Sequence, residues 1–268
     1  MYKYAHFKEI KVRYSDQGKG RAIVFLHGFM ENMEMWKDFS SQLSKSYRVI
    51  CIDLPGFGET PVIGYIHTME QMATCVKAVM DSLRLRRYIL VGHSMGGYVS
   101  LAFAELFHDN VSGLCLFHST AAADSEEKKV SRDKAIEVVK RKPHQYIQLF
   151  FEPLFAPQNV EKFKNEIEQF QLRASTLTPA AIVNALEGMK ARKNMEWMLG
   201  MTDIPVGFII GKLDFAIPFE QVVKQSTLAK HSKMLLLENV GHMGFLEAKD
   251  ETLLFVRQFA RSVFRKLI

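Results

Sequence analysis

One serine in this chain sits where a hydroxyl could become a nucleophile. Gly92-His93-Ser94-Met95-Gly96-Gly97 follows the apolar run Tyr88-Ile89-Leu90-Val91 and opens a stretch with helical spacing. A sharp turn from strand to helix exposes the hydroxyl of its central residue. Glycines on either side leave room where side chains would meet neighbouring chain. The free N–H groups at the start of the helix face developing negative charge. A serine hydroxyl is a poor nucleophile at neutral pH, so it needs a base that titrates near that pH. Histidine fits, and the chain has nine. His242 lies in the loop Gly241-His242-Met243-Gly244 after an apolar run and is the candidate base. His93 must point away across the turn and packs beside it. His27 ends a buried run and reads as structural, while His118 and His231 have no glycine loop around them. A third group must orient the imidazole. Asp214 follows an apolar run and precedes Pro218, at the sheet end where sites gather. Asp124 is its rival, and Asp53 reads as a loop hydrogen-bonding residue.

These residues need a scaffold. Six apolar runs have strand length: 22–26, 47–52, 88–91, 111–117, 206–210 and 234–237. Near-continuous apolar strands are buried on both faces, as in a parallel sheet between helices. The segments 69–83 and 95–107 carry apolar residues at helical spacing. The alternation predicts an α/β fold. His6–Tyr14 reads as edge strand. Residues 121–204 break the alternation. They read as helices over 132–141, 143–151, 157–174 and 179–192, with Thr178 capping the helix that Pro179 opens. An insert of this length predicts a cap. The expected division is a core of 1–120 and 205–268 with a helical cap of 121–204. A last helix over 249–266 packs on the sheet.

Five motifs, in order, carry a resemblance to the α/β-hydrolase fold family across nearly the whole chain. His27-Gly28-Phe29 follows the first buried run. Asp53-Leu54-Pro55-Gly56-Phe57-Gly58 resembles the family's D-x-x-G-x-G segment. The turn at Ser94 is the third. Gly211-Lys212-Leu213-Asp214-Phe215-Ala216-Ile217-Pro218 resembles G-x-x-D-x-x-x-P, and Gly241-His242 resembles the terminal G-H. One departure concerns the residue after Glu247: relatives often place a proline shortly after this glutamate, and here Ala248-Lys249 follows. The resemblance implies a Ser94–His242–Asp214 triad. It also implies an oxyanion hole from the backbone N–H groups of Met95, which follows the serine, and Phe29, with Met30 as the alternative.

The expected activity is serine hydrolysis of a small or medium, mostly apolar ester through an acyl-enzyme. Carbon–carbon bond hydrolases, cofactor-free haloperoxidases and lyases reuse the same constellation. A ligand sensor with slow turnover is a further alternative. Serine at position 94 argues against the aspartate-nucleophile dehalogenases and epoxide hydrolases. The cap run from Tyr146 to Phe155 is rich in large apolar side chains, and Phe151 and Trp197 are its candidate pocket residues.

Composition sets outer bounds. The 268 residues are 48% hydrophobic and 24% charged, an ordinary globular balance that excludes a disordered or collagen-like chain. Formal net charge is +6, yet the basic residues are scattered and no recognition motif accompanies them, so nucleic acid is not an expected partner. The partner is a small-molecule substrate, and a homo-oligomer is compatible with the sequence. The cysteines Cys51, Cys75 and Cys115 show no CxxC spacing, which fits a reducing compartment. With no signal-like N-terminus and no long apolar span, the expected location is cytoplasmic. No metal-ligand spacing and no dinucleotide fingerprint occur, so no metal or cofactor is expected.

Overall fold

The computed structural model describes residues 2–265. One sheet holds β1 Tyr2–Phe7, β2 Ile10–Gln17, β3 Ala22–Leu26, β4 Arg48–Ile52, β5 Tyr88–His93, β6 Val111–Phe117, β7 Val206–Gly211 and β8 Ser232–Leu237. Their order across the sheet is β1-β2-β4-β3-β5-β6-β7-β8. The β1–β2 and β2–β4 pairs are antiparallel, and all other pairs are parallel. The helices, in chain order, are α1 Lys37–Leu43, α2 Met69–Ser82, α3 Met95–Leu106, α4 Glu126–Arg141, α5 Pro143–Phe150, α6 Lys164–Ala174, α7 Pro179–Ala191, α8 Glu196–Met201, α9 Phe219–Ser226, α10 Gly244–Glu247 and α11 Lys249–Arg265.

Strands β3, β5, β6 and β7 are buried at every residue, so the sheet must be covered on both faces. On one face α11 lies against β6 and β7, where two glycines permit close approach. A Cβ on Gly113 would lie 3.0 Å from Val263, and one on Gly207 3.2 Å from Phe259. The predicted end of this helix at Lys266 lies outside the described residues. Beneath the turn at Ser94 the core is aromatic. Trp36 packs at 4.9 Å from Phe25, 5.5 Å from Phe117 and 5.8 Å from Phe245. Such pairs contribute about 0.5–1.5 kcal/mol each beyond burial, and they stiffen the floor on which the turn rests.

Between β6 and β7 the chain is helical, with no strand among the described residues. Two boundaries differ from the sequence reading. Helix α4 starts at Glu126, six residues before the expected Arg132. Ser125 Oγ accepts the Lys128 N–H at 3.2 Å, and Glu126 and Glu127 occupy the first turn where the helix dipole favours acids. The expected helix over 157–174 is instead a 3₁₀ turn at Pro157–Asn159 followed by α6. The Thr178 cap is present, accepting the Ala181 N–H at 3.2 Å. No described helix is long and apolar enough to cross a membrane.

Candidate active site

Ser94 joins β5 to α3 at φ 49°, ψ −115°, a conformation that costs a non-glycine residue about 1–3 kcal/mol. Two contacts hold it there. The Ser94 N–H donates to Phe117 O at 3.0 Å, and Ser119 Oγ donates to Ser94 O at 2.8 Å. Gly96 is required by proximity: a Cβ there would lie 2.5 Å from Leu26 O. Met95 opens α3, so its N–H has no carbonyl one turn back within the helix. The Phe29 N–H, in the loop after β3, likewise has no hydrogen-bond partner among the described residues. His27 shapes that loop. Its Nδ1 donates to Gly28 O at 2.7 Å while Nε2 accepts the Leu54 N–H at 2.9 Å, and burial lowers its pKa. A neutral ring with one donor and one acceptor satisfies both bonds.

Asp214 follows β7 and is buried. Its Oδ2 receives His242 Nδ1 at 2.7 Å, and its Oδ1 receives the N–H groups of Ala216 and Ile217 at 2.9 Å each. A second imidazole, His118 Nδ1, reaches the same Oδ2 at 3.2 Å. Burial alone would raise the Asp214 pKa. The charge of His242 and the hydrogen bonds from both histidines outweigh it and hold the carboxyl well below its usual range. His118 is fully buried, and burial lowers its pKa to about 4, so it donates as a neutral ring. In the sequence His118 has no glycine loop around it and does not stand out. Its signal was its place at the end of β6, beside β7 in the sheet. His118, Asp214 and His242 bring ligand-type atoms within 4.8 Å of one another, the one such cluster among the described residues. Both Nδ1 atoms are turned onto the carboxylate as donors, which is a shared acid rather than an open metal site.

His242 is also anchored through its backbone. Its N–H donates to Leu154 O at 2.6 Å. Glu247 Oε1 accepts the N–H groups of Gly241 and Met243, and its Oε2 accepts those of Ala156 and Asn159 Nδ2, at 2.8–3.2 Å. Glu247 therefore fastens the histidine loop to the insert, and the absent proline after it leaves this untouched. With Nδ1 on Asp214, His242 leaves Nε2 without a hydrogen-bond partner among the described residues. Ser94 and His242 line one cavity of about 380 Å³. No hydrogen bond joins them here, and such bonds commonly tighten only around substrate.

The cavity wall corrects two expectations. Phe151 is fully buried and stacks on Phe170 at 5.5 Å, facing the interior of the insert. Trp197, on α8, is 52% exposed and does not line the cavity. The side chains that do line it on α5 are Tyr146, Leu149 and Phe150, spaced i, i+3, i+4 on one helical face. Phe151 is one residue, about 100° of helical rotation, beyond that face. Phe29, Leu154, Leu186, Met189 and Ile217 extend the apolar wall.

Behind the turn lies a buried ion pair. His93 Nδ1 faces Glu31 Oε2 at 2.9 Å and its Nε2 faces His242 O at 3.0 Å. Both neighbours are acceptors, so both ring nitrogens donate and the ring is cationic. Burial opposes that charge, but Glu31 outweighs it and raises the His93 pKa above its ordinary 6.5. Burial likewise opposes the Glu31 carboxylate, and the His93 cation outweighs it, lowering Glu31 below 4.5. Glu31 also accepts the Gly28 N–H at 2.7 Å. The pair thus joins the loop of Phe29, the turn of Ser94 and the loop of His242. Replacing Glu31 by Gln should destabilise the protein by about 3–5 kcal/mol, because one buried charge loses its partner. The His93 contribution is full below pH 6.5 and fades as pH rises through its raised pKa. The Glu31 contribution is full above pH 4.5 and fades as pH falls through its lowered one. The gap between wild type and variant should therefore be widest between those two values and narrow toward alkaline pH. Thermal melts from pH 4 to 9 check this, and a gap that widens above neutrality contradicts it.

Asp124 does not approach His242. Arg192 Nη1 binds its Oδ1 at 2.6 Å and Arg132 binds its Oδ2, so the rival acid is held between two guanidinium groups. Asp53 serves its loop, accepting the Met33 N–H at 2.8 Å and the Glu59 N–H at 3.1 Å. The three cysteines are free and buried.

The fold is that of a known family, whose model, described as the alpha/beta hydrolase fold, matches residues 21–249. The chain belongs to that family of enzymes. It is 30% identical over 262 residues to the AB hydrolase superfamily protein YisY of Bacillus subtilis, covering 92% of this chain and 94% of that one. It is 29% identical over 192 residues to a 2-hydroxy-6-oxononadienedioate/2-hydroxy-6-oxononatrienedioate hydrolase of Paraburkholderia phymatum, covering 69% of this chain and 62% of that one. A thermophilic esterase from Thermogutta terrifontis, solved with malate bound, superposes with a TM-score of 0.92 at 28% identity, covering 98% of this chain and 99% of that one.

Proposed function

We propose that this enzyme is a serine hydrolase that cleaves small or medium esters through an acyl-enzyme. The observation that carries the reading is the strained Ser94 in one cavity with a His242 whose Nδ1 is bound to a buried, ionised Asp214. Ser94 Oγ attacks the acyl carbonyl while its proton passes to His242 Nε2. Asp214 holds the imidazole tautomer and offsets the imidazolium charge. The N–H groups of Met95 and Phe29 receive the oxyanion, and His242 returns the proton to the leaving alcohol. Water then releases the acyl group by the reverse path. Residues 121–204 act as a cap whose α5 face excludes water from the site. Buried free cysteines agree with a reducing, cytoplasmic setting.

The test is labelling by a fluorophosphonate together with turnover of p-nitrophenyl esters. A wild-type protein that neither takes the label nor cleaves any ester overturns the proposal. A carbon–carbon cleavage substrate run alongside addresses the reading favoured by the similarity to the oxononadienedioate hydrolase. The cap is tested by paired variants. Phe150→Ala, on the cavity wall, should shift the preferred acyl chain length, since each buried methylene contributes about 0.8 kcal/mol. Phe151→Ala should instead cost about 3–5 kcal/mol of stability and keep the chain-length profile. Identical profiles for wild type and Phe150→Ala would remove α5 from the substrate wall.

A further inference from the structure

One side of the cavity is cationic. Lys128 and Arg132 stand one turn apart on α4 and both line the space that holds Ser94 and His242. Arg132 is committed to Asp124, which Arg192 also binds, so two guanidinium groups share one carboxylate. Lys128 has no ion-pair partner among the described residues. Its Nζ donates to a neutral acceptor, Ala216 O, at 2.5 Å. The other carboxylate in its field is Asp214, which is already bound by two imidazoles and two backbone N–H groups. Burial, and then repulsion by Arg132, lower the Lys128 pKa, so a negative charge placed beside it would be favoured. An apolar-lined cavity gains nothing from such a cation unless the ligand carries the opposite charge.

We propose that the ester cleaved by this enzyme carries a carboxylate away from its scissile bond, received by Lys128 with Arg132 beside it. The proposal rests on the hydrolase reading and deepens it. Phe29, Phe150, Leu186, Met189 and Ile217 would enclose the hydrocarbon between ester and acid. A single free ammonium suits one monoanion. Lys128 is then a specificity residue, and its bond to Ala216 O is a resting contact that the carboxylate joins.

The experiment compares kcat/KM for esters that differ only in that charge. On the acyl side, p-nitrophenyl hemiglutarate is set against p-nitrophenyl valerate. On the alcohol side, 4-acetoxybenzoate is set against its methyl ester. Wild type should favour the carboxylate member of at least one pair about tenfold or more. In Lys128→Gln that ratio should fall about tenfold, and Lys128→Arg should recover most of it. A Lys128→Gln variant that slows both members equally marks a structural strut and overturns the proposal, as does a wild type without preference in either pair. Failure of the hydrolase reading has a different signature: neutral esters stay intact and the fluorophosphonate does not label Ser94. In that event, binding of monomethyl glutarate to Ser94→Ala protein reads the site directly. Affinity should drop about tenfold when Lys128→Gln is added, and equal affinity overturns the proposal.

Discussion

Ser94→Ala is expected to lower ester turnover by about 10⁴–10⁶-fold, as for a member of a catalytic triad. The change removes one hydroxyl that makes no hydrogen bond in the resting structure, so packing around the turn is retained. It leaves φ at 49° for a residue with a Cβ, and strain at the turn is therefore neither relieved nor increased. Thermal melts should place wild type and variant within about 1 kcal/mol of each other, while fluorophosphonate labelling disappears. Equal labelling of the variant would move the nucleophile elsewhere.

Asp214→Asn should cost roughly 10⁴-fold in turnover. An amide that turns its NH₂ toward His242 Nδ1 makes that nitrogen an acceptor, so the proton sits on Nε2 and the ring cannot take one from Ser94. The N–H groups of Ala216 and Ile217 sharpen the expectation: they need an acceptor at the Oδ1 position, so the amide oxygen stays there and the NH₂ faces both imidazoles. Asp124→Asn is the matched control. It weakens the bridge between Arg132 and Arg192 and should lower stability without touching the His242 tautomer. Steady-state kinetics of the two variants on one ester decide the matter. If Asp124→Asn carries the larger loss, the acid has been assigned to the wrong strand end.

The parts of this site legible in the sequence are those written in neighbouring residues. The turn at Ser94 is a short pattern whose glycines and flanking strand are contiguous, and the buried strands appear as apolar runs. Asp214 and His242 are legible because each follows a strand and because the order of motifs resembles a family. His118 and Glu31 are not, since their partners are set by sheet order. β6 lies beside β7, and β3 lies beside β5 although α1, β4 and α2 intervene in the chain. Nothing local to Glu31 marks it as the counter-charge of a histidine 62 residues away. The cavity wall fails in the sequence for a finer reason. Phe150 and Phe151 are chemically identical neighbours, and only the phase of α5 decides which one lines the cavity. Trp197 falls in a short helix that periodicity does not reveal.

The ties between His242, Glu247 and residues 154–159 bear on how such an enzyme can diversify. The insert enters the chain at one point and looks like a detachable module. Yet it supplies the carbonyl that receives the His242 N–H and two of the four donors that hold Glu247. A chimera that borrows a foreign insert keeps His242 in place only if the graft reproduces this turn. Residues on α4 and α5 that line the cavity can change without disturbing this tie. The segment from Leu154 to Asn159 is bound to the His242 loop through two backbone groups and the Asn159 amide.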